Sequence, residues 1–571
     1  MKRDPALYKH AVNLRAISRT GSEKKSNKTL FRYFDNDKNI AEMTYAEFGE
    51  SVERMIGALQ KTGLAGKRIA VIGETCPEWI ITFFAVISAG SVIIPLDKEL
   101  LHGEIKGFLD VAQADAIVMS PKYSEKYQEL CADGVFDRLK NIIRVDNGKE
   151  WTQTDERLVT FEEFLVNGNQ YERPSNSEIM RRSTRGDMSV MLFTSGTTGS
   201  SKCVMLSERN IVSCACAAIA SVDFYENDVL MSVLPIHHTY ELTITVAEII
   251  LGVTVCINDN LKHVLKNLKT FKPTALVLVP LFASTFHKKI VDEVKKKGKE
   301  RQLKIGIAAS KAMKYVGVDI SEKLFSEILS AFGGNLKKII CGGAAMDPSL
   351  TNFFGGLGIN LCEGYGITEC SPLIAVNPYD KKKIGSVGPA VSCCEARIDA
   401  TSTDDKGNAT GEIQVRGENV MLGYYNNEQA NADAFTEDGW FRTGDVGYMD
   451  KDGYIFITGR MKSVIVLNNG KNVFPEEIEE YLYKIDAISE CVVVGRKKED
   501  SEEVLLTALV YPNFNAYPAD EDINNIAADI KKRVMDMNRG LPSFKQIRNI
   551  EVRTTEFEKT TTKKIKRFLV K

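Results

Sequence analysis

The sequence lacks several patterns that would place it in a specialised class of protein. No Cys-x-x-Cys pair occurs among its 12 cysteines, and the nearest approaches are Cys214 with Cys216 and Cys393 with Cys394. A disulfide framework and a zinc site are therefore not predicted, and without a secretory segment we expect reduced thiols in the cytoplasm. The formal net charge of −2 gives no global attraction to nucleic acid or to an anionic membrane.

One apolar run imitates a membrane span. "WIITFFAVISAGSVIIPL" (79–96) has 18 residues without a charge, which is near the lower limit for crossing a bilayer. Gly90 and its flanking serines divide the run into a helical half and a β-branched half that contains Pro95. The run therefore predicts a buried helix, a turn and a strand.

The chain of 571 residues is too long for one hydrophobic core. From about residue 40 to 350, short β-branched runs alternate with helical patterns, which predicts mostly parallel sheets covered by helices. The region 385–460 has short strands and tight turns, including a hairpin at Asp452–Gly453. We predict an α/β fold with a large N-terminal domain (1–461), containing a small distorted β-barrel-like part, and a small mobile α+β domain (462–571).

The segment "VDEVKKKGKERQLK" (291–304) is strongly basic. Two interpretations of this segment remain open: a solvated helix face, and a surface that binds anionic lipid electrostatically. Any membrane association predicted from this segment is peripheral, at the inner face of a membrane.

The stretch "SGTTGSSK" (195–202) follows an apolar run and is typical of a phosphate-binding loop. Its glycines let backbone amides turn toward an anion, its hydroxyls add donors, and Lys202 adds a positive charge. The spacing differs from a Walker A loop and from a dinucleotide fingerprint. Taken alone, this stretch could equally be a surface loop without a ligand.

Further motifs follow along the chain: "LPIHHTYE" (234–241), "GGAAMD" (342–347), "EGYGITECSP" (363–372), "WFRTGDVGYMDKDGYIFITGRMKSVIVLNNGKNVFPEEIE" (440–479) and "EKTTTKKIKR" (558–567). In this order, and together with the loop, they make the chain resemble the adenylate-forming superfamily. That superfamily includes acyl-CoA synthetases, firefly luciferase and the adenylation domains of peptide synthetases. The resemblance covers nearly the whole chain, and within the superfamily it is greatest to long-chain fatty acid–CoA ligases.

The resemblance implies that a carboxylate attacks the α-phosphorus of ATP to give acyl-AMP and pyrophosphate, after which CoA displaces AMP. It implies ATP, Mg²⁺ and CoA as cofactor and substrates, with a fatty acid as the acid. The residues implied to bind ATP are Thr194, Ser195, Gly196, Thr197, Thr198, Gly199, Lys202, Gly343, Ala344, Tyr365, Gly366, Asp445 and Arg460. Thr194 and Glu369 are implied as Mg²⁺ ligands, and Thr368 as a donor to the α-phosphate.

Three further residues take their roles from the resemblance. Lys564 corresponds to the lysine that contacts the carboxylate and the α-phosphate during adenylation. His238 corresponds to a wall of the acyl pocket, and Lys462 to the hinge about which the small domain rotates between the two half-reactions.

Four positions depart from the commonest family pattern: Ser201, Cys203, Ser463 and Lys563. Lys563 places a second lysine beside Lys564, so the catalytic register is open by one position. A different acceptor or acid, namely acyl carrier protein or an aryl carboxylate, remains open. So do a silent nucleotide- or acyl-binding protein and, more remotely, a P-loop kinase or ATPase.

Overall fold

The computed structural model describes residues 12–146, 148, 155–181, 186–194, 202–403, 407–467, 472–497, 504–559 and 565–570. The chain forms two compact units. The first contains the described residues of 12–194, 202–396 and 415–441, and the second those of 397–414 and 442–570.

The elements of both units follow in chain order. The strands are β1 (Thr29–Phe34), β2 (Ile40–Thr44), β3 (Arg68–Ile72), β4 (Val92–Leu96), β5 (Ala116–Met119), β6 (Asn141–Arg144), β7 (Leu158–Thr160), β8 (Met188–Thr194), β9 (Lys202–Ser207), β10 (Val229–Ser232), β11 (Thr254–Ile257), β12 (Ala275–Leu278), β13 (Lys338–Gly342), β14 (Asn360–Gly366), β15 (Leu373–Val376), β16 (Gly388–Pro389), β17 (Cys394–Thr403), β18 (Ala409–Gly417), β19 (Gly423–Tyr424), β20 (Phe441–Met449), β21 (Tyr454–Arg460), β22 (Ile465–Val466), β23 (Asn472–Val473), β24 (Ile488–Lys497), β25 (Val504–Pro512) and β26 (Asn549–Val552). The helices are α1 (Leu14–Lys24), α2 (Tyr45–Lys61), α3 (Pro77–Ser88), α4 (His102–Ala112), α5 (Tyr127–Ala132), α6 (Phe161–Val166), α7 (Asn176–Arg181), α8 (Glu208–Ser221), α9 (Thr239–Leu251), α10 (Val264–Phe271), α11 (Pro280–Lys296), α12 (Glu300–Tyr315), α13 (Ser321–Leu324), α14 (Ser326–Ser330), α15 (Pro348–Gly356), α16 (Glu428–Ala434), α17 (Pro475–Leu482) and α18 (Ile523–Asn538).

The first unit is built on two large sheets. One has the order β19-β9-β8-β4-β3-β5-β6-β7, and the other has the order β15-β14-β13-β12-β10-β11-β1-β2. Pairs within the body of each sheet are parallel, such as β3 with β4 and β12 with β13. Toward the edges the pair β8 with β9 is antiparallel, whereas β6 with β7 is parallel. The prediction of mostly parallel βα sheets is confirmed.

Several of the parallel strands are short and buried along their whole length. In β5 ("AIVM") and β12 ("ALVL") every residue is buried. Strands covered by helices on both faces need apolar side chains on both sides, which explains their continuous apolar sequence.

The apolar run 79–96 does not form one long helix. Its first part lies in α3, its last part forms β4, and Gly90 between them has a φ of +81°, which favours glycine. The predicted helix, turn and strand are confirmed. Among the described residues, no helix is both long and apolar enough to cross a membrane.

The second unit begins with a sheet in which β21, β20, β18 and β17 are neighbours in this order. The hairpin predicted at Asp452–Gly453 joins β20 to β21, and Gly453 has a φ of +82°. The part predicted to be barrel-like is an open sheet, because β17 ends the strand order and has β18 as its only neighbour among the described strands.

The rest of the second unit is a small α+β structure. Strands β24, β25 and β26 form a sheet, and α17 and α18 supply buried residues to a core that includes Ile478, Ile530 and Val510. The predicted α/β class with a small C-terminal domain is thus confirmed. The position of the domain boundary at Met461–Lys462 stays a prediction.

Candidate active site

The predicted phosphate loop connects the two strands of an antiparallel hairpin. Thr194 ends β8, Lys202 begins β9, and the two residues are paired in the register of the hairpin. The Thr194 hydroxyl donates to the Lys202 carbonyl oxygen at 3.4 Å. The predicted residues Ser195, Gly196, Thr197, Thr198 and Gly199 lie outside the described residues, but the two ends of their segment are held side by side.

Lys202 and Glu369 are joined through the side chain of Tyr424. The Lys202 ammonium lies 4.4 Å from the centroid of the Tyr424 ring, which is a cation–π distance. The Tyr424 hydroxyl donates to Glu369 Oε1 at 2.9 Å. Burial and the neighbouring Glu369 carboxylate raise the pKa of the Tyr424 hydroxyl far above its usual range. The hydroxyl is therefore a permanent donor to this carboxylate.

Tyr424 is a residue that sequence reasoning did not identify. Contacts of its backbone fix the position of Tyr424. Tyr424 lies in β19, which pairs antiparallel with β9, so that Tyr424 is opposite Val204. The Asn431 side-chain amide bonds both backbone groups of Tyr424, at 2.6 and 3.0 Å. The motifs around Lys202 and Glu369 contain no signal for a residue some 220 positions later in the chain than Lys202.

Thr368 and Glu369 belong to a short 3₁₀ turn, Thr368–Cys370, directly after β14. A Cβ atom added to Gly366 would lie 2.0 Å from the Pro372 carbonyl oxygen, so only glycine allows this close approach. The backbone of Glu369 is fixed as well, because its carbonyl oxygen accepts from the Met421 N–H at 2.8 Å.

The predicted adenine-binding residues lie at the ends of two parallel strands. Gly343 and Ala344 follow β13, Tyr365 and Gly366 end β14, and β13 and β14 are paired. Gly343 has a φ of +85°, and Tyr365 is 7% exposed. Carboxyl ends of neighbouring parallel strands are the usual place for a ligand in such sheets.

His238 precedes the first residue of α9, and its carbonyl oxygen accepts from the Leu242 N–H at 3.0 Å. The ring of the buried His237 lies 4.2 Å from the ring of His238. Nε2 of His237 lies 3.3 Å from Asp97 Oδ2. His238 is half-buried and is the more accessible member of the pair, and its role as a wall of the acyl pocket stays a prediction.

Glu241, on the first turn of α9, is fully buried. The Ser232 hydroxyl donates to Glu241 Oε1, and burial raises the pKa of this carboxyl to about 8. Because the group is protonated at neutral pH, it does not place a negative charge beside the strand ends.

In the second unit, the structure brings Asp445 and Arg460 together. They are directly opposite in β20 and β21, and Arg460 Nε donates to Asp445 Oδ1 at 2.8 Å. Asp445 is 4% exposed, and its backbone N–H donates to the Thr443 hydroxyl at 3.1 Å. A buried carboxylate with a neighbouring guanidinium is suited to accept hydrogen bonds from sugar hydroxyls.

Lys462 lies in an exposed 3₁₀ turn, Met461–Ser463, immediately after β21. Lys563 and Lys564 lie outside the described residues, so the open register of the catalytic lysine stays a prediction.

The donor set at Glu369 and Thr194 suits Mg²⁺. A carboxylate and a hydroxyl are hard oxygen donors, and protein-bound Mg²⁺ commonly takes one or two carboxylates together with substrate phosphates. No group of three or more His, Cys, Asp or Glu residues with metal-binding geometry occurs within the described part of the chain.

Comparison with known families agrees with the motifs. Residues 19–425 match the model of the AMP-binding enzymes, and residues 462–570 match the model of the AMP-binding enzyme C-terminal domain. The chain belongs to the AMP-binding enzyme family. The resemblance predicted from the sequence is confirmed.

Relatives of this AMP-binding enzyme include several acid–CoA ligases. The long-chain-fatty-acid–CoA ligase FadD15 of Mycobacterium bovis is 28% identical, over 93% of this chain and 90% of the relative. The indoleacetate–CoA ligase of Aromatoleum aromaticum is 30% identical, over 85% of each chain. The crystal structure of the anthranilate CoA ligase AuaEII with anthranoyl-AMP covers 97% of this chain and 96% of its own, with a TM-score of 0.75 and 20% identity. This last likeness shows a shared fold.

Proposed function

We propose that this AMP-binding enzyme activates a long- or medium-chain fatty acid and transfers it to CoA. In the first half-reaction the acid carboxylate attacks the α-phosphorus of ATP, which forms acyl-AMP and releases pyrophosphate. In the second half-reaction the CoA thiol attacks the acyl carbon, which releases AMP and leaves a thioester. The observation that carries this proposal is the arrangement of Lys202, Tyr424 and Glu369 in a chain of the AMP-binding family.

The phosphates of ATP are assigned to the hairpin loop. The segment from Thr194 to Lys202 supplies backbone amides, hydroxyls and one ammonium group, and Thr368 donates to the α-phosphate. Glu369, with Thr194, would hold Mg²⁺, which neutralises charge on the phosphates. Because Tyr424 contacts both Lys202 and Glu369, it links the lysine assigned to the phosphates to the carboxylate assigned to Mg²⁺.

The adenosine moiety is assigned to two groups of residues. Gly343, Ala344, Tyr365 and Gly366 receive the base, because their glycines permit a close approach and the tyrosine ring can stack. Asp445 and Arg460 receive the ribose hydroxyls.

Catalysis of the first half-reaction is assigned to Lys564, whose ammonium neutralises the carboxylate and the α-phosphate as they react. His238 forms a wall beside the acid. Lys462 is assigned as the hinge, where a few residues after β21 absorb the backbone change between the half-reactions.

An aryl acid is the second candidate substrate. It is favoured by the similarity to the indoleacetate–CoA ligase, whose identity of 30% exceeds the 28% of FadD15, although over a shorter span. Two further candidates are a reaction with acyl carrier protein as the acceptor and a binding protein without turnover.

One experiment separates these candidates. Purified protein is incubated with ATP, Mg²⁺ and CoA, and AMP formation is measured with acids from acetate to oleate and with indoleacetate. The proposal predicts the highest kcat/KM for a medium- or long-chain fatty acid. A preference for aryl or short acids would contradict the fatty acid assignment, and ADP as product would contradict the whole reaction. Replacing CoA with acyl carrier protein tests the acceptor.

We also propose that the protein is cytoplasmic and reaches the inner face of a membrane through helix α12. The outward face of this helix is apolar, with Ile305 60% exposed and Val316, just beyond its end, 67% exposed. Ala308, Ala309 and Ala312 share this face at helical spacing. The neighbouring Tyr315 is 94% exposed, so the apolar surface is large for a solvated helix.

The charge around α12 favours an anionic lipid surface as its partner. Residues 288–314 contain ten Lys or Arg residues and three Asp or Glu residues, in a chain whose net charge is −2. Lys304 and Lys311 lie along one flank of the apolar face at helical spacing, and Arg301 lies on the face itself near the start of the helix. An exposed apolar face with a basic flank is typical of helices that lie in the membrane interface.

Co-sedimentation with vesicles tests this surface. The protein is expected to bind phosphatidylserine-containing vesicles, to bind phosphatidylcholine vesicles weakly, and to lose binding in the double variant Ile305→Asp, Val316→Asp. Ile40→Asp is the matched control, because Ile40 is an exposed apolar residue of β2 in the same unit. Equal loss in both variants, or a change of oligomeric state in place of vesicle binding, would contradict the lipid assignment.

A further inference from the structure

The chain on both sides of residues 560–564 packs against the sheet of the C-terminal unit. Phe557 is 4% exposed and lies in a small apolar cluster with Val492 of β24 and Leu509 of β25. Ile565 and Val570 pack against the same cluster. The segments before and after 560–564 therefore share one apolar support.

Glu490 holds the first of these segments. The Phe557 backbone N–H donates to Glu490 Oε2 at 2.9 Å, and the Lys559 ammonium pairs with Glu490 Oε1. Glu490 is on β24 and is 8% exposed. Both oxygens of this buried carboxylate are thus used to hold residues 557–559.

Glu479 holds the second segment. Nη2 of Arg567 pairs with Glu479 Oε2, and the Val493 N–H donates to Glu479 Oε1 at 2.7 Å. Oε1 of Glu476, one turn before Glu479 on α17, lies 3.8 Å from the same guanidinium nitrogen. Glu479 is 6% exposed, so Arg567 brings a positive charge to a carboxylate that has little access to water.

The backbone connects the two segments directly. Lys559 and Ile565 form an antiparallel bridge, and the Lys566 N–H donates to the Glu558 carbonyl oxygen at 2.8 Å. Residues 560–564 are therefore connected to two points of the chain that are fixed side by side.

Apolar packing alone would hold the tail without needing buried acids. A buried carboxylate costs free energy unless it is paired, and removing one partner leaves the other unpaired. The two glutamates are therefore poor candidates for simple stabilisation. They instead restrict the tail to the one register in which Lys559 and Arg567 reach them.

We propose that Glu479 with Arg567, and Glu490 with Lys559, are positioning residues that hold the ends of the lysine-bearing segment for adenylation. This inference rests on the proposed function, in which Lys564 acts on the carboxylate and the α-phosphate. Lys564 is three residues before Arg567, so a shift at the Arg567 anchor passes along a chain of only about 10 Å.

The test compares the two half-reactions in variants of the anchors. Arg567→Ala is expected to lower acid-dependent pyrophosphate release about 10- to 100-fold, because a displacement of about 1 Å can cost that much. Thioester formation from supplied acyl-AMP and CoA is expected to stay unchanged, and Arg567→Lys to recover part of the adenylation rate. The matched control is Arg533→Ala, which removes an exposed ion pair in the same unit. In this pair Arg533 Nε lies 2.7 Å from Asp529 Oδ2.

Several results would overturn the inference. Equal losses in both half-reactions would mean that Arg567 only stabilises the unit, and an unchanged adenylation rate would mean that the anchor is not needed. If Arg567→Ala does not fold, Lys559→Ala tests the other anchor with the same two assays. Lys564→Ala separates this inference from the proposed function: if Lys564→Ala loses adenylation and neither anchor variant does, only the anchoring role fails.

Discussion

Two segments of this enzyme, 195–201 directly before Lys202 and 560–564 with Lys564, are held at their ends in different ways. Residues 195–201 connect β8 and β9, whose ladder continues from Thr194 opposite Lys202 through Phe193 opposite Cys203. Residues 560–564 are closed by a single bridge and by ion pairs to Glu479 and Glu490. The ends of the first segment are held by backbone hydrogen bonds within a large sheet, and the ends of the second are held by charged side chains on a small sheet.

The difference predicts how each segment responds to its surroundings. Backbone ladders do not titrate between pH 5 and 9, whereas a carboxylate–guanidinium pair depends on the charge of the acid. We therefore expect the hairpin assigned to the phosphates to behave as a fixed part of the site, and the tail to be sensitive to pH and to single charge substitutions.

The largest expected effect comes from the lysines themselves. Lys564→Ala should lower adenylation by about 10²–10³-fold, the loss typical of one transition-state donor, and should spare thioester formation from acyl-AMP. Lys202→Ala should mainly raise the KM for ATP, since its assigned partners are the β- and γ-phosphates, present in the ground state as well. Separate measurements of pyrophosphate release and of thioester formation check both variants.

Lys563→Ala is the control for this comparison, because it removes the neighbouring charge and keeps the segment length. If Lys563→Ala loses adenylation and Lys564→Ala does not, the catalytic register is wrong by one residue. Equal effects of Lys202→Ala and Lys564→Ala on both half-reactions would remove the distinction between the two segments.

A smaller effect is expected at Tyr424. Tyr424→Phe keeps the ring under Lys202 and removes the donor to Glu369, so the Mg²⁺ concentration for half-maximal adenylation should rise about tenfold. Tyr425→Phe is the matched control, since the Tyr425 hydroxyl accepts from Arg68 Nη1 at 3.0 Å instead. Mg²⁺ titrations that coincide for the two variants would show that Tyr424 does not orient the metal ligand.

The last expected effect concerns stability rather than rate, and is a change of the free energy of unfolding with pH at Glu479. Burial raises the pKa of this carboxyl to about 7, against the attraction of Arg567 and the Val493 N–H, and with a further contribution from Glu476. Tyr483 and Cys491 also face the group, and burial raises the pKa of each. The pKa of Glu479 is higher in the folded state than in the unfolded state. The contribution of Glu479 to stability is therefore complete below the pKa of the unfolded state, and it is lost as the pH rises through about 7.

Thermal unfolding of Glu479→Gln tests this linkage. The free energy of unfolding of the natural protein should fall by up to about 3 kcal/mol relative to the variant between pH 4.5 and pH 7.5. A constant difference between the two proteins across this range would show that Glu479 does not titrate there.

Much of this fold follows from local sequence patterns. The apolar run 79–96 predicts a helix and a strand that are observed as α3 and β4, and the Asp-Gly turn predicts the hairpin of β20 and β21. These predictions succeed because alternation, apolar runs and turn residues act over a few positions. They also place the predicted pair Asp445 and Arg460 opposite each other, because one hairpin carries both.

Local sequence patterns do not predict contacts between residues that are far apart in the chain. Arg567 belongs to a tail that is basic in sequence, yet its partner Glu479 is 88 residues away. Tyr424 lies in a two-residue strand, β19, and meets Glu369 only because β19 pairs with β9. Such partners depend on how strands are ordered in a sheet, and neither the spacing nor the composition of the motifs specifies that order.

The most direct test of the central claim follows an oxygen atom. The protein is given its best fatty acid labelled with ¹⁸O in the carboxylate, together with ATP, Mg²⁺ and CoA, and the AMP is analysed by mass spectrometry. If the carboxylate attacks the α-phosphorus, the AMP carries one ¹⁸O atom from the acid. Unlabelled AMP, or label in inorganic phosphate with ADP as the nucleotide product, would contradict the account.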